Sequence, residues 1–269
     1  MMKNIIRILK KRRNGGFTLV EMVISVALLA VLMVGIIISV TPILRTFNDN
    51  SKNLVAENVA TCIQNYISLG MRDATNVVVI GNTNADSIKN NANNIVNNLK
   101  KFCQTKTSEG QYAYSLSCIS LKYDSADGRY YLYTDELDIT QTGEYIDPFV
   151  SSTSVFSKCL YKDMYFNMSI EKALDMDKAT ETPQPRLKDT ARITINTYSD
   201  KGYSNLVFSG NGITEFREIG RELSRKGSQA KYSFDIYSGT VPVKADVIDT
   251  STAPADARDV YIFYTSYKF

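Results

Sequence analysis

One carboxylate in this chain needs a chemical reason for its position. Residues 17–40 read FTLVEMVISVALLAVLMVGIIISV, 24 positions with a single charge, Glu21. On membrane-insertion scales a carboxylate inside an apolar helix costs about 2.5–3.5 kcal/mol, so Glu21 requires a partner. The Gly15-Gly16 pair directly before the run suggests where one could come from. A cut after Gly16 would expose an α-amino group on Phe17, cationic with a pKa near ~8. Glu21 lies one helical turn further on, in the first turn of the helix, where the macrodipole favours negative charge. The ammonium it meets can be its own or that of a neighbouring chain.

The apolar run itself defines the element that carries this carboxylate. As a helix, 24 residues at ~1.5 Å each span ~36 Å, enough for a ~30 Å hydrocarbon core. Six basic residues and no acid precede it (Lys3, Arg7, Lys10, Lys11, Arg12, Arg13), and only Arg45 and Lys52 follow soon after. The positive-inside bias places the N-terminus in the cytoplasm and residues 41–269 outside. A cleaved secretory signal would have an apolar region of only ~7–15 residues and a small-residue cut site. Here Pro42 follows the nearest candidate, Ser39-Val40-Thr41, so the sequence favours a retained membrane anchor.

The stretch Lys10–Ser25, KKRRNGGFTLVEMVIS, closely resembles the class III signal of type IV prepilins and pseudopilins. The resemblance implies cleavage between Gly16 and Phe17 by a prepilin peptidase, then N-methylation of Phe17 by the same peptidase/methyltransferase. It implies that Glu21, the fifth mature residue, pairs with a neighbouring subunit's N-terminus during filament assembly. The partners it implies are other pilin subunits through the N-terminal helix, an assembly platform protein, and membrane lipid before assembly. It covers only the first ~40 residues and leaves the remainder to be read from its own pattern.

Composition narrows the chemistry of that remainder. The chain has no His and no CxxC, which removes His-based triads, zinc ribbons and thioredoxin-like centres. No catalytic residue, metal site or cofactor is expected, and the protein is read as a non-enzyme. The net charge of +3 is misplaced as a guide to partners. Without the six leader cations, 25 basic face 28 acidic side chains, so the bulk of the protein is mildly acidic. Nucleic-acid and host-surface partners stay open as alternatives, but the charge gives no support to the first. Arg217, Arg221 and Arg225 form a basic stripe if helical, but Glu218 and Glu222 interleave and can pair with them. Tyrosines such as Tyr112, Tyr114, Tyr131 and Tyr133 suit half-buried strands better than a glycan site. Asp135/Glu136/Asp138 and Asp175/Asp177 lack EF-hand spacing, and the Asn167-Met168-Ser169 sequon is read as fortuitous.

Cys62, Cys103, Cys118 and Cys159 lie in the part expected outside the membrane, where disulfides persist. Four cysteines allow three connectivities, and the sequence leaves the pairing open. The competing reading is that they are small buried hydrophobes.

The pattern predicts an α+β fold of pilin-like form. A long N-terminal helix, its first half transmembrane, packs on an antiparallel sheet head with a second helix. The expected divisions are a leader at 1–16, a transmembrane half at 17–40, an amphipathic half at 41–70 and a head at 71–269. Val55, Val59, Cys62, Ile63, Tyr66 and Ile67 give the amphipathic face, Gly70 the stop, and Gly35 and Pro42 candidate kinks. The second helix is expected over Ala85–Cys103. Strands are expected at Gln111–Tyr123 and Arg129–Thr134 around an Asp127-Gly128 turn, and at Met164–Ile170, Ala191–Tyr198, Tyr203–Ser209, Lys231–Tyr237 and Val260–Tyr267. Asp175–Arg186 is read as a loop and Ile213–Lys226 as a short helix.

Together these readings point to a subunit of a type IV pilus or related filament. With 199 residues after Gly70, it is read as a low-copy minor subunit, because a large head is harder to repeat at every position. A DNA-uptake or type II-like secretion pseudopilin and a tip adhesin are the alternatives. The expected location is the cytoplasmic membrane, single-pass, then an extracellular filament.

Overall fold

The computed structural model describes residues 17–83, 86, 88, 90, 93–140, 153–161, 163–225, 231–250 and 259–268. The chain divides into two compact units, one ending at Lys52 and the other beginning at Asn53.

The first unit is helical from Leu19 onward and belongs to helix α1, Leu19–Arg72, which continues into the second unit. Every described residue of the first unit is exposed. Hydroxyl side chains within it turn back onto the helix: Ser39 Oγ donates to Gly35 O (2.9 Å), Thr41 Oγ1 to Ile37 O (2.7 Å) and Thr46 Oγ1 to Pro42 O (3.0 Å). Each polar group is thereby satisfied without water. Pro42 cannot donate to the Ile38 carbonyl, yet the helix runs through it unbroken.

The second unit holds the rest of α1 and all the strands. Ala56, Val59, Ala60, Ile63, Ile67 and Met71 recur at three- and four-residue spacing and are buried, as one face of a helix requires. The helix passes the expected stop at Gly70 and ends at Arg72. The elements that follow are β1 (Asn76–Thr83), α2 (Asn93–Cys103), β2 (Tyr114–Asp124), β3 (Arg129–Leu137), β4 (Thr153–Ser154), α3 (Lys158–Tyr161) and β5 (Tyr165–Leu174). After these come β6 (Arg186–Tyr198), β7 (Leu206–Glu215), α4 (Arg217–Ser224), β8 (Ser233–Ser238), β9 (Val243–Ala245), β10 (Val247–Asp249) and β11 (Asp259–Tyr267).

Two sheets result, ordered β4-β3-β2-β11-β1-β8-β9 and β10-β5-β6-β7. The α+β architecture is the expected one, with a helix of long apolar sequence and a sheet-rich C-terminal unit. The larger sheet is mixed rather than purely antiparallel, because β1 and β8 run parallel, with Val77 opposite Phe234 and Val79 opposite Ile236. Its central strands are buried on both faces. Val77, Val79, Ile119, Leu121 and Ile262 enter one core with α1 and the smaller sheet; Val78, Ile80, Leu116, Tyr261 and Phe263 enter another with α2.

Several boundaries differ from expectation for traceable reasons. The β2–β3 hairpin closes at the expected Asp127-Gly128, where Gly128 takes φ +69°, a left-handed conformation that glycine adopts without strain. Residues Ile213–Glu215, expected to be helical, instead extend β7, because Ile213 pairs with Arg192 and Thr214 hydrogen-bonds Ser68 (2.8 Å). Helix α4 starts only at Arg217. Within the expected loop Asp175–Arg186, Met176–Lys178 form one 3₁₀ turn, and Arg186 already belongs to β6. The helix expected from Ala85 is described continuously only from Asn93, and most of its first part lies outside the described residues.

The sheets meet closely at one glycine. A Cβ on Gly81 of β1 would fall 2.2 Å from Ile248 Cγ2 and 2.4 Å from its Cδ1, and Ile248 is buried in β10. Gly81→Ala should therefore lower the stability of this unit by about 1–3 kcal/mol, the usual cost of overpacking a closed core. Denaturant unfolding of the detergent-solubilised protein measures this, and an unchanged midpoint would show that the two sheets can separate freely at this point.

Candidate functional site: the first turn of the long helix

The sequence singles out Gly16, Phe17 and Glu21. Gly16 and the basic leader lie outside the described residues; Phe17 and Glu21 lie within them, both exposed. Thr18 precedes the first helical residue, Leu19, and Glu21 is the third residue of the helix. The Thr18 N–H donates to Glu21 Oε2 at 3.0 Å and the Thr18 hydroxyl donates to the same oxygen at 3.0 Å. In return the Glu21 N–H donates to Thr18 Oγ1 at 3.2 Å. This is a reciprocal capping box, in which the cap hydroxyl and the acid three residues on satisfy each other's main-chain donors.

The sequence reading missed this arrangement, although T-x-x-E before an apolar run is its signature and stands in the chain as Thr18-Leu19-Val20-Glu21. The ammonium and the helix dipole are the partners that the apolar run by itself suggests for the carboxylate. In the structure its first partners are the N–H and hydroxyl of a residue three positions back. Both Thr18 bonds converge on Oε2, so among the described residues Oε1 carries no hydrogen bond. The site can thus hold a carboxylate at a fixed position at the mouth of the helix while offering one oxygen outward.

Beyond Glu21 the helix presents only apolar side chains as far as Gly35, apart from Ser25. It is the one helix among the described residues that is long and apolar enough to cross a membrane.

The other candidates disperse. The four cysteines stand as free thiols, the second of the two readings left open by the sequence for the buried ones. Their surroundings differ. Cys103 and Cys118 sit in the apolar core between α2 and the larger sheet, Cys62 is half-buried on α1, and Cys159 is exposed on α3. Burial pushes the Cys103 thiol up to about 12 and raises Cys118 as well. Arg221 pairs with Glu218 (2.7 Å) and Arg225 with Glu222 (3.3 Å), while Arg217 reaches Asp73 at 3.7 Å. The basic stripe is therefore spent on local pairs. Asn167 is 1% exposed, donating to Tyr198 and accepting from Asn196, so the sequon presents no free amide. Among the described residues no group of three or more His, Cys, Asp or Glu converges as a metal site would.

Comparison with known proteins singles out the same end of the chain. Residues 11–37 match the prokaryotic N-terminal methylation motif. No curated protein matches the chain. No solved structure matches it.

The thiols give a direct check on this part of the structure. Because the thiolate is the reactive form, a pKa near 12 leaves Cys103 about one part in ten thousand ionised at pH 8. In native protein iodoacetamide should label Cys159 first and leave Cys103 and Cys118 unlabelled until denaturation. Peptide masses showing a bridged cysteine pair in protein isolated without reductant would restore the disulfide.

Proposed function

We propose, from the premise that this chain carries a type IV prepilin-like N-terminal signal, that it is a structural subunit of a type IV pilus or related filament. The observation that carries the reading is the conjunction at one helix start: a methylation motif over residues 11–37, an exposed apolar helix, and one carboxylate in its first turn. In this reading a prepilin peptidase cuts between Gly16 and Phe17 and methylates the new amine. The leader faces the cytoplasm, α1 anchors the precursor in the membrane, and residues 71–269 form the extracytoplasmic head. The later partners are other subunits, through α1, and an assembly platform protein.

The capping box gives this reading a physical mechanism. A bare carboxylate drawn into a bundle of apolar helices would lose its hydration without compensation. Glu21 enters already holding two donors from Thr18, and its second oxygen is left for the ammonium of a neighbour's Phe17. The charge is neutralised only when the two chains are correctly staggered, so the pair sets register as well as affinity. The size of the C-terminal unit supports a minor, low-copy role, since bulk at every position along a filament would crowd its neighbours.

Two measurements test the reading. The assembled protein should begin at Phe17 and carry one methyl on its amine; intact mass showing residues 1–16 retained in filaments would overturn it. Glu21→Gln keeps shape and capping while deleting charge, and Glu21→Val deletes both. Each should still be cut after Gly16, but incorporation should fall by orders of magnitude, since stranding one member of a buried pair costs about 3–5 kcal/mol. The ratio of sheared-filament to membrane-fraction protein reads this directly. Equal incorporation of both variants and wild type would leave Glu21 no part in assembly.

A further inference from the structure

The two sheets have four edge strands, and they are treated unequally. β4 has two residues, β9 three and β10 three, whereas β7 has ten. Short edges blunt pairing with foreign strands, as do Pro and Lys placed on them. β7, LVFSGNGITE, is long and contains neither.

The hydrogen bonds show which of its groups face outward. The Phe216 N–H donates to Asp189 O (2.8 Å) just before the paired stretch of β6, and the register then runs without a shift from Thr190↔Glu215 to Thr197↔Phe208, where the Thr197 hydroxyl also donates to the Phe208 carbonyl (3.3 Å). In a strand the N–H and C=O of one residue point to the same side and alternate along the chain. The even-numbered residues of β7 therefore bond to β6. Ser209, Asn211 and Ile213 aim their main-chain N–H and C=O away from the sheet, where no further strand lies among the described residues. Their side chains are exposed, and those of Ser209 and Asn211 are tied back toward β6, to Asn196 (2.6 Å) and Thr194 (2.7 Å). The edge is left clear.

A cleft of about 490 Å³ lies where β7 meets the end of α1, lined by Leu69, Arg72, Ile213, Thr214 and Arg217 among others. Leu69 and Ile213 are 62% and 65% exposed, an apolar pair with nothing on it. The Arg72 guanidinium is partly exposed at the cleft and pairs with Asp73 only at 3.4 Å, while its screened Nε has no hydrogen-bond partner among the described residues.

We propose that the outer edge of β7 takes an extended peptide strand from a neighbouring filament subunit. That subunit would add a strand to the smaller sheet, set an apolar side chain against Leu69 and Ile213, and bring a carbonyl or carboxylate to Arg72. An extended peptide is the one occupant that supplies both the alternating main-chain donors and acceptors and the side-chain acceptor. The identity of the partner as a filament subunit rests on the function proposed above; the open edge rests on the strand geometry alone.

The test uses the full chain in cells that assemble it. A photoreactive benzoylphenylalanine replaces Asn211, and Asn211→Pro removes one outward N–H while leaving the β6 ladder intact. Asn211→Lys keeps the strand but obstructs close approach, and Asn211→Gln is the conservative control. On irradiation, residue 211 should crosslink to a defined segment of another subunit bearing an N-terminal methylation signal. The Pro and Lys variants should incorporate at least about tenfold less than wild type, the effect of losing one or two main-chain hydrogen bonds, with Asn211→Gln unchanged. Thermal unfolding in detergent should match wild type for the Lys variant, so that its loss is read as lost pairing. Full incorporation of both variants, or an irradiated protein with no adduct to another subunit, overturns the proposal. If wild type never leaves the membrane fraction, the filament reading fails, and the adduct formed there still decides whether β7 pairs.

Discussion

The governing constraint is the exposure of the first two-thirds of α1. From Phe17 to Val40, 17 large apolar side chains lie open, most of them more than half exposed. Burying such side chains is worth about 1.5–3 kcal/mol each, so covering this surface is worth tens of kcal/mol. The opposing cost of one carboxylate in the same run is about 2.5–3.5 kcal/mol. The balance is not close. Residues 17–40 must be covered by lipid or by other helices, and Glu21 has to be accommodated within that environment.

The same helix obeys a different rule beyond Asn53. There the apolar positions thin to one stripe, and that stripe closes on strands rather than on lipid. Ala56 and Ala60 keep the stripe low on one side, and β7 answers with Gly210 and Gly212 facing Gln64 and Ala60. The Gln64 side chain occupies the space a Cβ on Gly212 would take, 1.3 Å from its Nε2, so the missing atom lets that side chain lie over the strand. One continuous element thus carries two solvation regimes, set only by how its apolar residues are distributed around the axis.

The parts legible in the sequence were those fixed by local pattern. The apolar run, the signal residues, the amphipathic stripe and the Asp127-Gly128 hairpin each declare themselves within a few turns or a few residues. β1 did not. Val77–Ile80 is a short unbroken apolar run, because Val77 and Val79 face one core while Val78 and Ile80 face another, and it lacks the alternation that marks a half-buried strand. Its parallel partner β8 lies more than 150 residues away, a pairing no window of sequence contains. The surroundings of the cysteines follow from the same non-local packing, which puts Cys103 and Cys118 in an apolar layer and Cys159 outside it. At the helix start the capping box was present in four consecutive letters and was passed over in favour of the ammonium.

In the filament reading proposed above, the box and the ammonium would be complementary, which gives a physical account of a residue of such cost at the fifth place after the glycine pair. A helix start leaves four N–H groups without intrahelical partners, and in an apolar medium each unpaired one costs roughly 2–7 kcal/mol. Glu21 Oε2 answers the Thr18 donors and draws the first turn closed, which a neutral cap could do as well. A neutral cap could not also leave a half-charged oxygen facing outward. Thr18 sets the position of that oxygen, the helix dipole favours its charge, and the apolar surface around it removes the water that would otherwise satisfy it. What remains is a single unsatisfied acceptor on an otherwise featureless apolar rod. Dispersion alone would let two such rods slide past one another by any amount; on the proposed assembly, one acceptor near the end of each rod would give a second chain a defined depth at which to stop.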